Sequence, residues 1–127
     1  MKIHHIAIWT KDLEAMKDFY LNYFGGIGNE RYSNPVKKFE SYFVMFDSGA
    51  KIELMHNPSS VGHSDDEIRL GITHIAFMLE SKDAVIALTE RLRSDGVRIV
   101  GEPRTTGDGY FESVILDIEG NRLELIA

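Results

Sequence analysis

The chain has 127 residues, 43% of them apolar and 27% charged, with three prolines and no low-complexity run; that is the make-up of one folded domain rather than a disordered segment. There is no cysteine, which excludes disulfide scaffolds, thiolate metal sites and a cysteine nucleophile. The 20 acidic against 14 basic residues, a formal charge of −6, argue against a nucleic-acid or anionic-membrane partner.

No apolar stretch approaches the ~18 residues of a membrane span. Met1-Lys2-Ile3-His4-His5 lacks the pattern of a secretory leader, so a cytoplasmic protein is expected. Ile3 to Trp9 is apolar and β-rich and predicts a strand. Lys11 to Phe24 carries Leu13, Met16, Tyr20 and Tyr23/Phe24 at helical spacing, with Thr10 or Asp12 as cap and Gly25 as stop. Three strand-like runs follow, at 27–34, 39–47 and 51–56. Asn57 to Gly71 is polar, holds Pro58, Ser59, Ser60 and Gly62, and reads as a connector. Ile72 to Leu79 predicts the next strand. Ser81 then caps a helix carrying Val85, Leu88 and Leu92, which Gly96 stops. Runs at 98–106, 110–117 and 121–126 complete the chain.

These two series are one unit written twice. Ile3-His4-His5-Ile6-Ala7-Ile8 recurs as Ile72-Thr73-His74-Ile75-Ala76-Phe77, and Phe39-Glu40-Ser41 recurs as Phe111-Glu112-Ser113. Gly49-Ala50-Lys51-Ile52-Glu53-Leu54 recurs as Gly120-Asn121-Arg122-Leu123-Glu124-Leu125, so all three blocks repeat in order at an offset of about 70 residues. The expected fold is α+β, a single domain of two tandem βαβββ modules, residues 1–56 and 72–127, joined by connector 57–71. That connector, up to roughly 50 Å when extended, lets the modules pair within one chain or across two.

Strand residues two apart share a face. His5 therefore faces with Ala7 and Trp9, and His74 with Ala76 and Met78. Glu53 faces with Lys51 and Met55, and Glu124 with Arg122 and Ile126. The alternate residues, Ile6/Ile8, Ile52/Leu54, Ile75/Phe77 and Leu123/Leu125, suit packing beneath the helices. Each module thus offers one His from its first strand and one Glu from its last, on the face away from its helix. A His and a Glu midway along apolar strands are costly to bury without a partner. If the modules pair with approximate twofold symmetry, His5, Glu53, His74 and Glu124 converge in one cleft. Two imidazoles and two carboxylates are a nitrogen/oxygen donor set for one divalent ion such as Zn²⁺ or Ni²⁺. An octahedral arrangement leaves positions for water or substrate oxygens.

His4 lies on the opposite face from His5 and reads as structural or exposed. His56 is out of phase with Glu53 and is a weaker alternative ligand, and His63 reads as a solvated connector residue. Trp9, Met55, Met78 and Phe111 are expected to be core, as aromatic and Met residues more often are, with pocket lining as the alternative. Lys51 and Arg122 share the faces of the two Glu residues and are expected in surface salt bridges, an anionic substrate group being the alternative. Tyr110, in the Gly-rich run Thr106-Gly107-Asp108-Gly109-Tyr110, can close over a ligand.

The paired modules, the His-Ile-Ala phrase in both first strands and Gly120-Asn121-Arg122-Leu123-Glu124-Leu125-Ile126 near the end resemble the glyoxalase/bleomycin-resistance/dioxygenase (vicinal oxygen chelate) superfamily over essentially the whole chain. With His5, Glu53, His74 and Glu124 as its quartet, the chain is most similar within it to glyoxalase I, the lactoylglutathione lyase. Extradiol dioxygenases and fosfomycin-resistance enzymes use two His and one Glu, and methylmalonyl-CoA epimerases usually carry Gln for the first Glu. Bacterial glyoxalase I has an arginine four residues after its first His ligand, where this chain has Trp9. Asn57 stands four residues after Glu53, where the family directs an asparagine towards glutathione. One of these two positions matches.

The resemblance implies a metal-dependent lyase or isomerase that shifts a proton on a small α-oxygenated carbonyl substrate, such as a hemithioacetal. The divalent ion would act as Lewis acid, with Glu124 the main base and Glu53 exchanging the proton on the other side. It further implies Asn57 as a substrate-side residue and a homodimer as the assembly; Trp9 and Arg122 join Asn57 as substrate-side candidates from their own place on the faces of His5 and Glu124. The alternatives are a drug- or metabolite-binding protein of the bleomycin-resistance type and an epimerase of coenzyme A thioesters. The presence of all four ligand residues weighs against the first of these, which Trp9 and the −6 charge keep open, while the low Lys/Arg count disfavours the second.

Overall fold

The first strand of each half pairs in parallel with the last, and that pairing organises the rest. The structure is a computed structural model describing residues 1–62, 71–107 and 109–127. His63 and Asp108, and with them much of the connector and part of the 106–110 run, lie outside the described residues. The chain divides into two units, Met1–His63 and Ser64–Ala127.

In the first unit, β1 (Ile6–Trp9), α1 (Leu13–Phe24), β2 (Ile27–Gly28), β3 (Tyr32–Asn34), β4 (Phe39–Met45) and β5 (Lys51–His56) follow one another. The sheet order is β1-β5-β4-β2, with β3 also on β4. In the second unit, β6 (Ile75–Met78), α2 (Lys82–Ser94), β7 (Ile99–Thr105), β8 (Phe111–Leu116) and β9 (Arg122–Ile126) form a sheet ordered β6-β9-β8-β7. β1 with β5 and β6 with β9 are parallel; the other pairs are antiparallel.

Both helices start at a side-chain cap. Asp12 accepts from the Ala15 amide at 3.0 Å and Ser81 from the Ala84 amide at 3.1 Å, each satisfying a first-turn donor that lacks a helical partner. α1 therefore begins at Leu13 rather than at Lys11. It ends where Gly25 takes a left-handed φ of 64°, which a side chain would resist. The next residue, Gly26, runs so close to β4 that an added Cβ would lie 2.3 Å from Val44 Cγ1.

α1 buries Leu13, Met16, Phe19 and Tyr20, which lie on one helical face, against β4 and β5. α2 buries Val85, Thr89 and Leu92, four and three residues apart, against β7, β8 and β9. The facing sheet residues Leu54, Val44, Ile115, Leu123 and Leu125 are wholly buried, and each such aliphatic side chain contributes roughly 1.5–3 kcal/mol by leaving water. Thr89 is the polar member of its row. Its hydroxyl donates to the Val85 carbonyl at 2.6 Å and lies 2.7 Å from the Ser113 hydroxyl, so the buried oxygens are satisfied.

Two expectations change. The run 27–34 is two short strands, because Gly28 pairs with Val44 but Tyr32 with Ser41, one residue more on this strand than on its partner. Asn29 fills the gap: its amide donates to the Phe43 carbonyl at 3.1 Å and its side-chain oxygen accepts from the Phe43 amide at 2.7 Å. The first strands are also shorter than read, starting at Ile6 and Ile75. The ladder runs from Ile6↔Ile52, and β5 begins only one residue earlier, at Lys51. His5 and His74 thus sit just before their strands.

Candidate metal centre

Strand pairing sets the face of each Glu. Ala7 pairs with Glu53 and Glu53 with Phe43; Ala76 pairs with Glu124 and Glu124 with Val114. Adjacent residues in a ladder share a face, and His5 and His74, just before their strands and two residues ahead of Ala7 and Ala76, each reach the Glu of that face. The outcome is the same pair in each unit. His5 Nε2 lies 3.5 Å from Glu53 Oε2, and His74 Nε2 lies 3.3 Å from Glu124 Oε2. The Glu side chains are the more buried partners, 16% and 21% exposed against 36% and 41% for the His side chains. Phe43 closes one side of the first pair, its ring edge-to-face with His5 at 5.2 Å.

The other ring nitrogens are also engaged. His5 Nδ1 is 2.8 Å from Nδ1 of His4, and His74 Nδ1 is 3.2 Å from the Thr73 hydroxyl. Sequence reasoning misses these two partners because alternation assigns them to the other face. The signal was their position: each directly precedes its His, and each can hydrogen-bond.

The pairs suit a divalent cation. Two donor atoms bound at about 2.1 Å, at angles between square and tetrahedral, are about 3.0–3.4 Å apart. The observed 3.3 and 3.5 Å are close to that span. Among the described residues no three His, Cys, Asp or Glu side chains gather as a metal-holding group, so each unit by itself presents two protein donors.

The remaining candidates separate. Trp9 is 53% exposed and pairs with Met55 on the face of Glu53. Met78 is likewise exposed on the face of His74. Phe111 is half-buried, with the Lys82 ammonium 5.5 Å above its ring. Asn57 turns its side-chain oxygen back to the Ser59 amide at 2.8 Å, which fixes the turn leaving β5. His56 pairs with Glu40 on the face opposite Glu53. Its Nδ1 donates to the Thr10 carbonyl at 2.9 Å, and it lines a pocket with Glu40 and Pro58. Tyr110 is exposed, and its carbonyl accepts from the Thr106 amide at 2.8 Å.

The salt-bridge expectation for Lys51 and Arg122 is not met among the described residues. Lys51 Nζ instead approaches His4 Nε2 at 3.4 Å, because β5 begins beside the residues that lead into β1. Arg122, exposed at the start of β9, has no carboxylate within ion-pair distance there.

Comparison with known proteins gives the family of the chain. The family model of the Glyoxalase/Bleomycin resistance protein/Dioxygenase superfamily matches residues 2–125. The chain belongs to that superfamily. The uncharacterized protein YqjT of Bacillus subtilis (strain 168) is 28% identical over 131 residues, covering 98% of each chain. Among solved structures, a glyoxalase family protein from Enterococcus faecalis superposes with a TM-score of 0.83 at 24% identity, over 99% of this chain and 97% of that one. Glyoxalase I from Zea mays superposes with a TM-score of 0.81 at 24% identity, over 98% of this chain and 44% of that one. The tandem α+β modules are thus the fold of this superfamily. Among the described residues no helix is long and apolar enough to cross a membrane.

Proposed function

We propose that this superfamily member is a metal-dependent lyase or isomerase of the glyoxalase I type, moving a proton on a small α-oxygenated carbonyl compound such as a hemithioacetal. The observation that carries this reading is the recurrence of one His–Glu pair in both units, at 3.5 and 3.3 Å. His5, Glu53, His74 and Glu124 hold one divalent ion, Zn²⁺ or Ni²⁺, in a homodimeric cytoplasmic protein. Two nitrogen and two oxygen donors form a borderline set, which suits those ions better than Mg²⁺ or Ca²⁺. Bound there, the ion supplies Lewis-acid stabilisation of charge developing on the substrate oxygen.

The chain's own groups move the proton. Glu124 takes it from the carbon beside the carbonyl and Glu53 serves the other side of the substrate, both as general acid–base carboxylates. His5 and His74 remain neutral ligands. Trp9 offers an exposed aromatic surface on the face of Glu53, and Arg122 a cation on the face of Glu124. Asn57 contacts substrate through its amide nitrogen, since its oxygen is held by Ser59.

The test is turnover of α-oxoaldehyde–thiol adducts by chelator-treated protein, before and after Ni²⁺ or Zn²⁺ is restored. Metal-dependent isomerisation supports the reading. Metal retained with no turnover on hemithioacetals or on coenzyme A thioesters would contradict the lyase or isomerase. Tight binding of a small molecule without turnover or metal would point to the bleomycin-resistance type of binding protein, which the exposed Trp9 also suits.

A further inference from the structure

We propose that His4 and Thr73 are positioning residues: each holds the Nδ1 of the histidine that follows it, so that His5 and His74 present a bare Nε2 to a metal ion beside Glu53 and Glu124. The proposal rests on the metal reading above and adds how the two ligand rings are set.

A neutral imidazole carries one N–H. A ring that gives Nε2 to a cation must keep its hydrogen on Nδ1 and needs an acceptor there, commonly a carboxylate, carbonyl or water. For His5 the group in place is Nδ1 of His4 at 2.8 Å, and for His74 it is the Thr73 hydroxyl at 3.2 Å. Both come from the residue just before the ligand, at matching positions of the repeat. His4 is exposed, so burial does not account for its contact.

The two partners are not equivalent. The Thr73 hydroxyl donates or accepts, so it serves either tautomer of His74. His4 has a second neighbour, the Lys51 ammonium, 3.4 Å from its Nε2. An ammonium only donates, so Lys51 favours a bare Nε2 on His4, which puts the His4 hydrogen on Nδ1 and towards His5. His5 must then carry its own hydrogen on Nε2, directed at Glu53 Oε2. In the cation-binding arrangement both hydrogens exchange places: His5 donates from Nδ1 to His4, and His4 gives up its bond to Lys51. Each ring keeps one hydrogen throughout. The first unit therefore has two self-consistent hydrogen-bond arrangements, and a metal ion selects between them. Lys51 opposes loading, whereas Thr73, which serves either tautomer, adds no such bias in the second unit.

Zn²⁺ titration of the full chain by calorimetry tests this, together with long-range ¹H–¹⁵N spectra of the imidazoles with and without Zn²⁺. Wild type should show His5 with its hydrogen on Nε2 without metal and on Nδ1 when loaded. His4→Ala should weaken Zn²⁺ binding about 10–100-fold, the usual effect of losing such a partner. His4→Asn, whose side-chain oxygen accepts at a similar position, should recover most of it. Thr73→Val should weaken binding and Thr73→Ser restore it, while Lys51→Met should bind at least as tightly as wild type. Unchanged affinity in both His4→Ala and Thr73→Val would overturn the proposal and leave the metal reading standing. A wild-type chain that binds no ion would overturn both.

Discussion

The Nε2 of His74 and the Oε2 of Glu124 face each other at 3.3 Å because β6 and β9 pair in parallel with Ala76 opposite Glu124. A one-residue slip in that ladder would turn Glu124 towards α2 and remove the pair. His5 and Glu53 repeat the arrangement through Ala7. In the proposed enzyme the Glu124 carboxylate serves as both ligand and base. Glu124→Gln should therefore lower kcat by at least about 100-fold, within the usual contribution of a general base, while Zn²⁺ binding is weakened but measurable. Steady-state kinetics on metal-loaded protein, beside a binding isotherm, checks both. Retained turnover would remove Glu124 from its role.

Metal binding should appear in stability. A ligand that binds only the folded chain stabilises it by mass action, by about 2.7 kcal/mol at a concentration 100 times Kd. Thermal unfolding with and without Zn²⁺ should show a raised midpoint in wild type. The shift should shrink or vanish in His5→Ala and His74→Ala.

Much of this was legible in the sequence. The alternation of Ile52, Glu53, Leu54 and Met55 assigns Leu54 to the core and Glu53 to the opposite face, and the burial of each agrees with that. Period-2 patterning is decisive in a strand with one packed face. The repeat supplied the second unit, the cap of α2 followed from Ser81, and that of α1 was narrowed to Thr10 or Asp12, of which Asp12 is the cap. The division of 27–34 was not legible, because it depends on the Asn29 side chain replacing a backbone acceptor for Phe43. The partners of the histidine rings were hidden for a related reason. His4 and His5 lie outside the regular strand, so alternation no longer governs which side chains meet.

The helix-side face of the first sheet should respond to acid. Glu14 receives hydrogen bonds from Lys17 and from the Tyr42 hydroxyl, both at 2.6 Å, and Lys17 and then Tyr42 hold its carboxyl below the ordinary 4.5. A carboxylate whose folded value is depressed adds stability above its unfolded value and loses it as pH falls through the folded one. Urea midpoints of wild type and Glu14→Gln should therefore differ at neutral pH and converge as the pH drops below 4.5. A constant difference across that range would contradict the assignment.

The two cores should be similarly sensitive. Leu54 and Leu123 are wholly buried on the helix side of their sheets, and truncating either to Ala should cost about 2–5 kcal/mol. Asp12→Ala, which removes the cap of α1, should cost about 1 kcal/mol. Denaturant unfolding of the three variants measures all of these.

His5, Glu53, His74 and Glu124 are proposed to hold one metal ion. Metal content per chain, measured on tag-free protein before and after incubation with Ni²⁺ or Zn²⁺ and desalting, tests it most directly. Wild type should retain about one ion per chain after loading, on four protein donors, and His74→Ala should lose it. A wild-type protein that retains no metal after loading would contradict it.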